Sequence, residues 1–567
     1  MKALSKLHGI LLLAALGLAQ TAHGVAREAV YSPEGMVASR SRLASEVGAR
    51  ILAQGGNAID AAVATGFALA VTYPSAGNLA GGGFMVIRLA DGTVITNDHR
   101  ERAPAKATRD MYLDAEGKVV PGRSTASHLA VGVPGTVDGL LAVLERYGTM
   151  TRGQVIAPAL RLASKGFLLD LDLARDFARQ LPAMQQYPAS VAVFSRDGKP
   201  YAVGEVFRQP DLANTLKRIS DKGRDGFYAG ETAGLLVAEM ARGGGLITHQ
   251  DLTDYRSVWR EPVTGSYRGY QIISMPPPSS GGVLLIQMLN MLEPYDLKGM
   301  GYGSSGAVHL LVEAERRAYA DRAEHLGDPD FFKVPVARLI DKSYAKQRFA
   351  DFVPGRASRS ADIGAGSWPA ESHDTTHASF MDRMGNAVAL TTTLNLSYGS
   401  KIVAAGTGML LNNEMDDFSA KPDTPNAFGL LGRDANAIEP GKRMLSSMTP
   451  TLVVKDGRTV LATGSPGGST IITTTLQVIV NVIDHGMDLS DAVSSARFHH
   501  QWQPDAVIYE PGALSPDTLA NLRAIGHQGL NPWRYGRGIG DANSVMRTDD
   551  GFLGMADPRN AGAAVGP

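Results

Sequence analysis

Two adjacent threonines, Thr375 and Thr376, stand between a carboxylate and an imidazole in the stretch HDTTHASFMD. A threonine hydroxyl is a weak nucleophile unless a base takes its proton. One such base is the threonine's own α-amine, which is released when the chain is cut just before that residue. Such an amine has a pKa of about 7.7–8.0, so it can accept and return a proton near neutral pH. Cleavage between Asp374 and Thr375 would therefore make Thr375 a self-activating nucleophile.

The chain before Thr375 is suited to such a cut. Residues 353–372 are rich in Gly, Ser and Ala, a composition typical of linkers, and a linker here could move away after cleavage.

The sequence has no cysteine, which excludes disulfides, thiolate metal sites and a cysteine nucleophile together. Any nucleophile must then be Ser, Thr, Lys or a carboxylate.

The residues after Thr375 predict a hairpin of two strands. Asp382 and Gly385 suit the first and fourth places of a type I turn, and a three-residue loop then sets Asp382 opposite Asn386. In that register Thr375 falls opposite Thr393. The two-residue period of a strand gives this face three polar side chains, Thr391, Thr393 and Asn395. A polar hairpin that faces solvent remains an alternative explanation.

Three short motifs downstream carry groups that such a nucleophile would need. They are Glu414, Asp416 and Asp417 in LLNNEMDDFS for an ammonium group, Ser446 and Ser447 in KRMLSSMTP for a carboxylate, and Gly467 and Gly468 in TGSPGGST for an oxyanion. Each motif also has a structural explanation without chemistry. In the same order, these are solvated or capping acids, a turn, and a glycine-rich connection from a strand to a helix.

Two further motifs point less clearly to chemistry. GYGSSG at residues 301–306 matches a dinucleotide fingerprint, but that site needs a preceding strand, and the run before it reads as a helix end. The adjacent His499 and His500 would point in opposite directions on a strand, with no carboxylate at ligand spacing. We expect a flexible helix entry and structural histidines, and therefore neither a cofactor nor a metal.

Composition sets broad limits on the partners. The 567 residues are 44% hydrophobic, enough for a large core, and 55 basic against 56 acidic residues leave a net charge of -1. This balance gives no electrostatic reason to bind nucleic acid or an anionic membrane, so we expect small-molecule partners.

The N-terminus predicts export. Lys2 and Lys6 precede a short apolar run at residues 10–19, and the small residues Ala22 and Gly24 follow at the -3 and -1 positions of a cleavage site, which is the pattern of a cleavable secretory signal over 1–24. The run is too short for a permanent membrane anchor, and no cysteine follows for lipid attachment. We expect a soluble periplasmic or secreted protein.

The elements that must position these groups form separate blocks of helices and strands, so we expect an α+β fold. NAIDAAVATGFALAVTY predicts a buried helix capped by Asn57, Asp91-Gly92 predicts a hairpin turn, and AVHLLVEAERRAYADRAEHLG predicts a long amphipathic helix.

Taken in order, the motifs resemble the γ-glutamyltranspeptidase (γ-glutamyltransferase) family of N-terminal nucleophile hydrolases over essentially the whole chain after the signal. They are DHRERAPAKATRDMYLD, DTTHASFMD, TTTLNLSYG, LLNNEMDDFSAKP, LSSMTPTLV, TGSPGGS, RFHHQW and ADPR. The resemblance implies a four-layer αββα fold. It also implies a precursor that cuts itself into a large chain, 25–374, and a small chain, 375–567, which together form one heterodimeric domain.

The resemblance also implies a role for each site residue. Thr375 would be the nucleophile of both self-cleavage and catalysis, hydrogen-bonded by Thr393, and would take a γ-glutamyl group from glutathione or a glutamine-like donor. The resulting ester would pass to water or to an amino acid or peptide acceptor. The remaining roles are the oxyanion hole for Gly467 and Gly468, the donor α-carboxylate for Arg100, Ser446 and Ser447, and the α-amino group for Asn395, Glu414 and Asp417.

The chain departs from relatives at two positions. Phe428 stands where well-known relatives have a tyrosine in the lid segment, which predicts an aromatic cover without its hydroxyl. Glu414 replaces a Gln of some relatives, which predicts tighter ammonium binding.

Two alternative functions stay open, a cephalosporin (glutaryl) acylase of the same superfamily and a non-catalytic periplasmic binding protein. The two acids Glu414 and Asp417 argue against the first, and Thr375 with Thr393 against the second.

Overall fold

The computed structural model describes residues 28–364, 375–421, 424–427, 429–534, 536 and 538–567. The predicted signal segment, Asp374 on one side of the predicted cut, and Phe428 lie outside the described residues.

The strands are short, and most belong to two large sheets. In chain order they are β1 (Val30–Ser32), β2 (Gly35–Ser39), β3 (Gly82–Arg88), β4 (Val94–His99), β5 (Phe167–Leu168), β6 (Val206–Phe207), β7 (Val258–Arg260), β8 (Val263–Tyr267), β9 (Tyr270–Ser274), β10 (Thr376–Asp382), β11 (Ala387–Thr393), β12 (Val403–Ala404), β13 (Met409–Leu410), β14 (Thr451–Lys455), β15 (Arg458–Thr463), β16 (Phe498–His499), β17 (Val507–Tyr509), β18 (Leu530–Pro532), β19 (Ser544–Arg547), β20 (Phe552–Met555) and β21 (Ala563–Val565).

The helices fall mainly between residues 42 and 348, with a second group after residue 470. They are α1 (Arg42–Ala53), α2 (Ala58–Thr72), α3 (Thr136–Tyr147), α4 (Arg152–Lys165), α5 (Leu171–Met184), α6 (Pro188–Phe194), α7 (Pro210–Lys222), α8 (Asp225–Tyr228), α9 (Gly230–Gly243), α10 (His249–Asp254), α11 (Gly281–Leu292), α12 (Leu297–Met300), α13 (Ser305–His325), α14 (Val336–Leu339), α15 (Lys342–Arg348), α16 (Thr470–Ile483), α17 (Leu489–Ser494) and α18 (Pro516–Ala524). Within the described chain, no helix is both long enough and apolar enough to cross a membrane.

Two antiparallel sheets, each of seven strands within the described residues, form the middle of the molecule. The first sheet has the order β21-β2-β10-β11-β3-β4-β7, and the second has the order β1-β20-β19-β15-β14-β9-β8. Each sheet therefore combines strands from before residue 364 with strands from after residue 375.

Three apolar clusters give the molecule four layers. One cluster lies between the sheets and contains Phe84 and Met381 from the first sheet with Leu452 and Ala462 from the second. A second cluster joins the other face of the first sheet to helices that include α2, α3 and α4. The third joins the second sheet to α11, α13 and α16. This arrangement confirms the expected α+β fold, a four-layer αββα sandwich.

The hairpin that follows Thr375 has the predicted register. Thr376 pairs with Thr392 and His377 with Thr391, and the Asp382 amide donates to the Asn386 carbonyl across a turn in which Gly385 has a φ of 105°. Every residue of β10 and β11 is buried, because β2 and β3 flank the hairpin and the second sheet covers it. Its polar face does not meet solvent, which rules out the alternative explanation.

Helix α2 is buried along its whole length, as predicted. Asn57 caps it, and Asp60 completes a capping box. Helix α13 differs from the prediction, because residues 307–323 are all buried and no face of this stretch meets solvent. Its charges are paired internally, as when Glu313 bonds Arg317 at 2.6 Å. GYGSSG follows α12 directly and runs into the first turn of α13, so a helix precedes it and the dinucleotide fingerprint lacks its strand.

Candidate active site

A pocket lies at the start of β10. Every predicted binding or catalytic residue lines it except Asp416 and Gly467, each of which is next in the chain to a lining residue. The lining residues are Arg100, Thr375, Thr393, Asn395, Glu414, Asp417, Leu430, Ser446, Ser447, Met448, Gly468 and Ile471. A larger and more open groove is lined by Asp321, Glu324, Tyr344, Arg348, Arg433 and neighbouring residues, and it contains none of the predicted residues.

Thr375 and its neighbour Thr376 have different surroundings. Thr375 is 5% exposed, precedes the first residue of β10 and lines the pocket. Thr376 is fully buried outside the pocket lining, and its hydroxyl has no hydrogen-bond partner in the described part of the chain. On the neighbouring strand, the Thr393 hydroxyl accepts a bond of 2.8 Å from the Asn395 amide. Of the adjacent threonines, only Thr375 lines the pocket.

The imidazole of His377 belongs to the interior of the sandwich. Its Nδ1 lies 2.8 Å from the Thr391 hydroxyl and its Nε2 lies 3.0 Å from the Ser379 hydroxyl. Since Ser379 donates its proton to the Asn543 carbonyl, it must accept from Nε2–H, and Nδ1 then accepts from Thr391. Burial lowers the pKa of His377 to about 3. The ring is therefore neutral, and both of its nitrogens are engaged.

Arg100 brings the predicted carboxylate and ammonium subsites into direct contact. It follows β4 and is 1% exposed. Its guanidinium donates to one oxygen of Glu414 and one oxygen of Asp417, and its Nε donates to the Met444 carbonyl at 3.2 Å. The two acids lie in one 3-10 turn, Glu414–Asp417, which brings both carboxylates to the same guanidinium. An amino-acid ligand carries a complementary charge for each of these groups.

The surroundings of the Arg100 guanidinium hold more acid than this one cation neutralises. Glu101 lies with one oxygen 3.8 Å from Arg100 Nη1, and neither carboxyl oxygen has a hydrogen-bond partner among the described residues. Burial raises the pKa of Glu101 to about 7, that of Glu414 well above its usual range, and that of Asp417 above its ordinary value. Sequence reasoning missed Glu101, although its position next to Arg100 could have indicated it.

Asn395 offers an acceptor to the same pocket. Its φ of 75° places it in the left-handed region, and its Nδ2 donates to the Asn413 carbonyl at 2.9 Å. Its Oδ1 has no donor within the described residues, and this carbonyl oxygen could accept from an ammonium group. The third acid of the motif, Asp416, is bonded instead to Ser124 at 2.6 Å and to the Ala427 amide at 2.8 Å.

The glycine pair lies between β15 and the N-terminus of α16. Gly467 has a φ of 130° and Gly468 a φ of 54°, values that side chains rarely adopt. A Cβ on Gly467 would also lie 2.4 Å from the Thr470 hydroxyl. Backbone amides at the start of a 14-residue helix favour negative charge, so this loop is suited to an oxyanion.

The adjacent histidines are structural, as predicted. His499 contacts Thr473 and Gln501, each at 2.8 Å, and the His500 ring accepts from the Trp502 amide at 3.0 Å. Both side chains are fully buried.

One group of possible metal ligands lies elsewhere, at His309, Glu313 and His527. The two histidines share a hydrogen bond of 2.8 Å between Nδ1 and Nε2, and Glu313 is paired with Arg316 and Arg317. Two guanidinium groups beside the carboxylate oppose a cation, so these residues do not fit a metal.

The fold and the pocket together define a class of protein. An αββα sandwich that places a threonine at the start of a central strand, in one pocket with a glycine-rich loop, is the arrangement of the N-terminal nucleophile hydrolases.

Comparison with known proteins identifies the family within that class. A sequence model of the Gamma-glutamyltranspeptidase family matches residues 44–566, and the chain belongs to this family. It is 50% identical over 534 residues to a glutathione hydrolase proenzyme of Escherichia coli, covering 94% of this chain and 91% of the relative.

Two solved structures extend the comparison. The γ-glutamyltranspeptidase of Helicobacter pylori is 50% identical, with a TM-score of 0.57, over 57% of this chain and 93% of that chain. A cephalosporin acylase of Bacillus halodurans is 26% identical, with a TM-score of 0.85, over 97% of this chain and 98% of that chain.

Proposed function

We propose that the chain is a self-processing γ-glutamyltranspeptidase, or glutathione hydrolase, in which Thr375 is the nucleophile. The observation that carries the proposal is a single pocket that contains Thr375, the ion pairs of Arg100 with Glu414 and Asp417, and Gly468 of the glycine loop. Family membership supports the same reaction. Glutathione and glutamine-like compounds are the donors.

Binding exchanges one set of charge contacts for another. The donor α-carboxylate pairs with Arg100 and with the hydroxyls of Ser446 and Ser447. Its α-ammonium group pairs with Glu414 and Asp417 and with Oδ1 of Asn395, which has no donor among the described residues. These contacts hold the γ-carbonyl between the Thr375 hydroxyl and the amides of the glycine loop.

The N-terminal amine of Thr375 acts as the base in the reaction. The amine takes the hydroxyl proton as the threonine oxygen attacks the γ-carbonyl, and the Gly467 and Gly468 amides stabilise the oxyanion. The intermediate expels the donor's amine, which takes up the proton, and a γ-glutamyl ester remains on Thr375. Water attacks this ester to release glutamate, or an amino acid or peptide amine attacks it to form a new γ-glutamyl amide.

The amine exists only after cleavage between Asp374 and Thr375. We therefore propose a large chain, 25–374, and a small chain, 375–567, after removal of the signal over 1–24. The signal implies a periplasmic or secreted enzyme. The linker composition before the cut and the position of Thr375 at the start of β10 support this division.

A denaturing gel with N-terminal sequencing tests the proposal. The purified protein should give two chains, the smaller one beginning Thr-Thr-His, and it should release the amine from a γ-glutamyl anilide. The Thr375→Ala variant should stay uncut and inactive. The matched Thr376→Ser variant should still be cut, since Thr376 lies outside the pocket lining. Two chains from the Thr375→Ala variant would contradict the proposal.

Full-length similarity to a cephalosporin acylase keeps that activity as a second candidate. A glutaryl side chain lacks the α-amino group, and would leave Glu414 and Asp417 paired only with Arg100. Hydrolysis rates for γ-glutamyl and glutaryl anilides separate the two activities, and we expect the γ-glutamyl donor to react faster. A single uncut chain that releases no amine from either donor would instead support a binding protein.

A further inference from the structure

Arg322 is a buried cation that has no ionic partner in the part of the chain that the structure describes. It lies on α13, is 4% exposed, and forms no ion pair within the described residues. Other buried arginines of this helix are paired, Arg316 with Glu313 and Asp505, and Arg317 with Glu313 and Asp351. An unpaired buried guanidinium is costly, so its retention calls for an explanation.

The contacts of Arg322 lead to the serine pair of the pocket. Its Nη2 donates to the Ser447 hydroxyl at 3.3 Å, and its Nε donates to the Ser280 hydroxyl at 3.0 Å. Ser280 in turn holds the Ser446 carbonyl with its own amide at 2.8 Å and its hydroxyl at 2.7 Å. Arg322 therefore contacts the serine pair from outside the pocket lining, both directly and through Ser280.

These bonds determine what the two hydroxyls can do. The Ser447 oxygen accepts from Arg322, and the Ser446 oxygen accepts from the Met448 amide at 3.1 Å. Neither hydroxyl donates to a protein acceptor in the described part of the chain, so both O–H protons remain available to a ligand. A carboxylate bound to them would lie one hydroxyl away from Arg322 and supply the negative charge that this residue lacks.

We propose that Arg322 is a positioning residue of the donor carboxylate subsite, which orients Ser447 as a hydrogen-bond donor and adds a second positive charge behind it. This inference rests on the proposed function, in which Ser446 and Ser447 bind the α-carboxylate. Burial lowers the pKa of Arg322 to about 10, while Tyr319 and Asp417 act in the opposite direction. The side chain is still charged at neutral pH.

Two donors that differ only in the α-carboxylate give the test. They are γ-glutamyl p-nitroanilide and 4-aminobutanoyl p-nitroanilide, which keeps the amino group and the scissile amide. Arg322→Met should raise KM for the γ-glutamyl donor about tenfold, as for the loss of one charged hydrogen bond. KM for the 4-aminobutanoyl donor should stay within about twofold, and kcat should change less than KM for both.

A matched control separates positioning from stability. Arg316→Met replaces another buried arginine of α13, whose partners Glu313 and Asp505 lie outside the pocket lining. It should lower stability without changing the ratio of KM values between the two donors. Equal losses on both donors in Arg322→Met would overturn the inference while leaving the proposed function intact. Wild-type enzyme that does not prefer the γ-glutamyl donor would overturn both.

A second pair of variants covers the case in which Arg322→Met fails to fold. Arg322→Lys keeps the charge but loses the planar fork, and it should raise KM for the γ-glutamyl donor about threefold. In a Ser447→Ala background the same change should raise KM by clearly less than threefold, because the hydroxyl that Arg322 contacts directly is absent and only the contact through Ser280 remains. An equal effect in both backgrounds would overturn the inference.

Discussion

At the scale of single residues, the pocket contains one buried cation that forms ion pairs with two carboxylates. Arg100 is paired with Glu414 and Asp417, and all three side chains are nearly or fully buried. A zwitterionic donor can replace each of these ion pairs with one of its own, so no charge is left buried and unpaired on binding. The arrangement favours ligands that carry an ammonium group and a carboxylate on the same carbon, and it disfavours ligands that carry only one of these two groups.

Glu414→Gln tests the part of this cluster in which the chain departs from some relatives. The amide keeps the shape but removes a charge that faces the donor ammonium, so KM for a γ-glutamyl donor should rise about fivefold to tenfold. Burial raises the pKa of Glu414, so the wild-type carboxylate is lost to protonation at a higher pH than an exposed glutamate. Wild-type KM should therefore rise as the pH falls.

KM measured across a pH series for both forms checks this prediction. The variant should lose the part of the pH dependence that comes from Glu414. An unchanged KM at neutral pH, or identical pH profiles, would show that Glu414 does not bind the ammonium group.

His377 predicts a specific sensitivity to acid. Burial lowers its pKa from about 6.5 to about 3, so the folded protein leaves it neutral while the unfolded chain protonates it. Its contribution to stability is present above pH 6.5 and is lost as the pH falls towards 3. The loss is up to ~1.4 kcal/mol per pH unit for one proton.

His377→Asn keeps one donor and one acceptor without a titrating ring, and it should lower the stability at pH 7. Its midpoint of urea unfolding should fall less between pH 7 and pH 5 than that of the wild type. The buried His99 and His500 have lowered pKa values in both proteins, so the difference reports His377 alone. Equal shifts in the two proteins would mean that His377 is already protonated in the folded state.

At the scale of elements, local signals predicted the hairpin but not the surroundings of α13. The turn Asp382–Gly385 sets the register of β10 and β11 from adjacent residues alone. The predicted position of Thr375 in the hairpin follows from that register. Helix α13 carries enough charge to predict a solvent-facing side. Its acids and arginines are instead covered by chain far away in sequence, including Asp505.

The same reason explains why sequence reasoning missed two residues that lie behind the pocket lining, Glu101 and Arg322. The motifs predicted that Thr375, the serine pair and Gly468 belong to one site, and these residues do line one pocket, because each stands in a short, distinctive run. Glu101 adjoins Arg100 in sequence, but its interaction with Glu414 comes from the fold. Arg322 has meaning only through contacts with residues that the fold brings from elsewhere, such as Ser447. A spacing pattern within one element carries no information about such contacts.

Helix α13 also contacts the glycine loop that we propose as the oxyanion hole, which gives a prediction for Tyr319. Its hydroxyl donates to the carbonyl of Ser469, the residue directly after the glycine pair. Tyr319→Phe leaves that buried carbonyl with one bond fewer and loosens the loop. We expect kcat to fall up to about tenfold, with a smaller change in KM, because an oxyanion hole acts in the transition state.

Tyr344→Phe is the matched control for Tyr319. The Tyr344 hydroxyl bonds Asp321 of the same helix at 2.9 Å, but it lies in the open groove and not in the pocket. Steady-state kinetics with a γ-glutamyl anilide should show a normal kcat for this variant. A rise in KM for Tyr319→Phe with kcat unchanged would contradict the role of α13 in supporting the loop.

At the scale of the whole molecule, the proposed cut divides the sequence but not the sheets. In the first sheet, β10 pairs with β2 and β11 pairs with β3, so strands of the small chain lie between strands of the large chain. In the second sheet, β14 pairs with β9 and β20 with β1 in the same way. The apolar cluster between the sheets also draws on both parts.

This interleaving predicts that the two chains stay together after cleavage. Separation would expose the edges of central strands and the apolar faces of both sheets, which is unfavourable in water. Gel filtration in buffer should give one species that contains both chains in equal amounts. It should elute with the uncut Thr375→Ala protein, and the chains should separate only in denaturant. Elution of either chain alone without denaturant would contradict the shared sheets, since a strand can leave the middle of a sheet only by breaking the backbone hydrogen bonds on both of its sides.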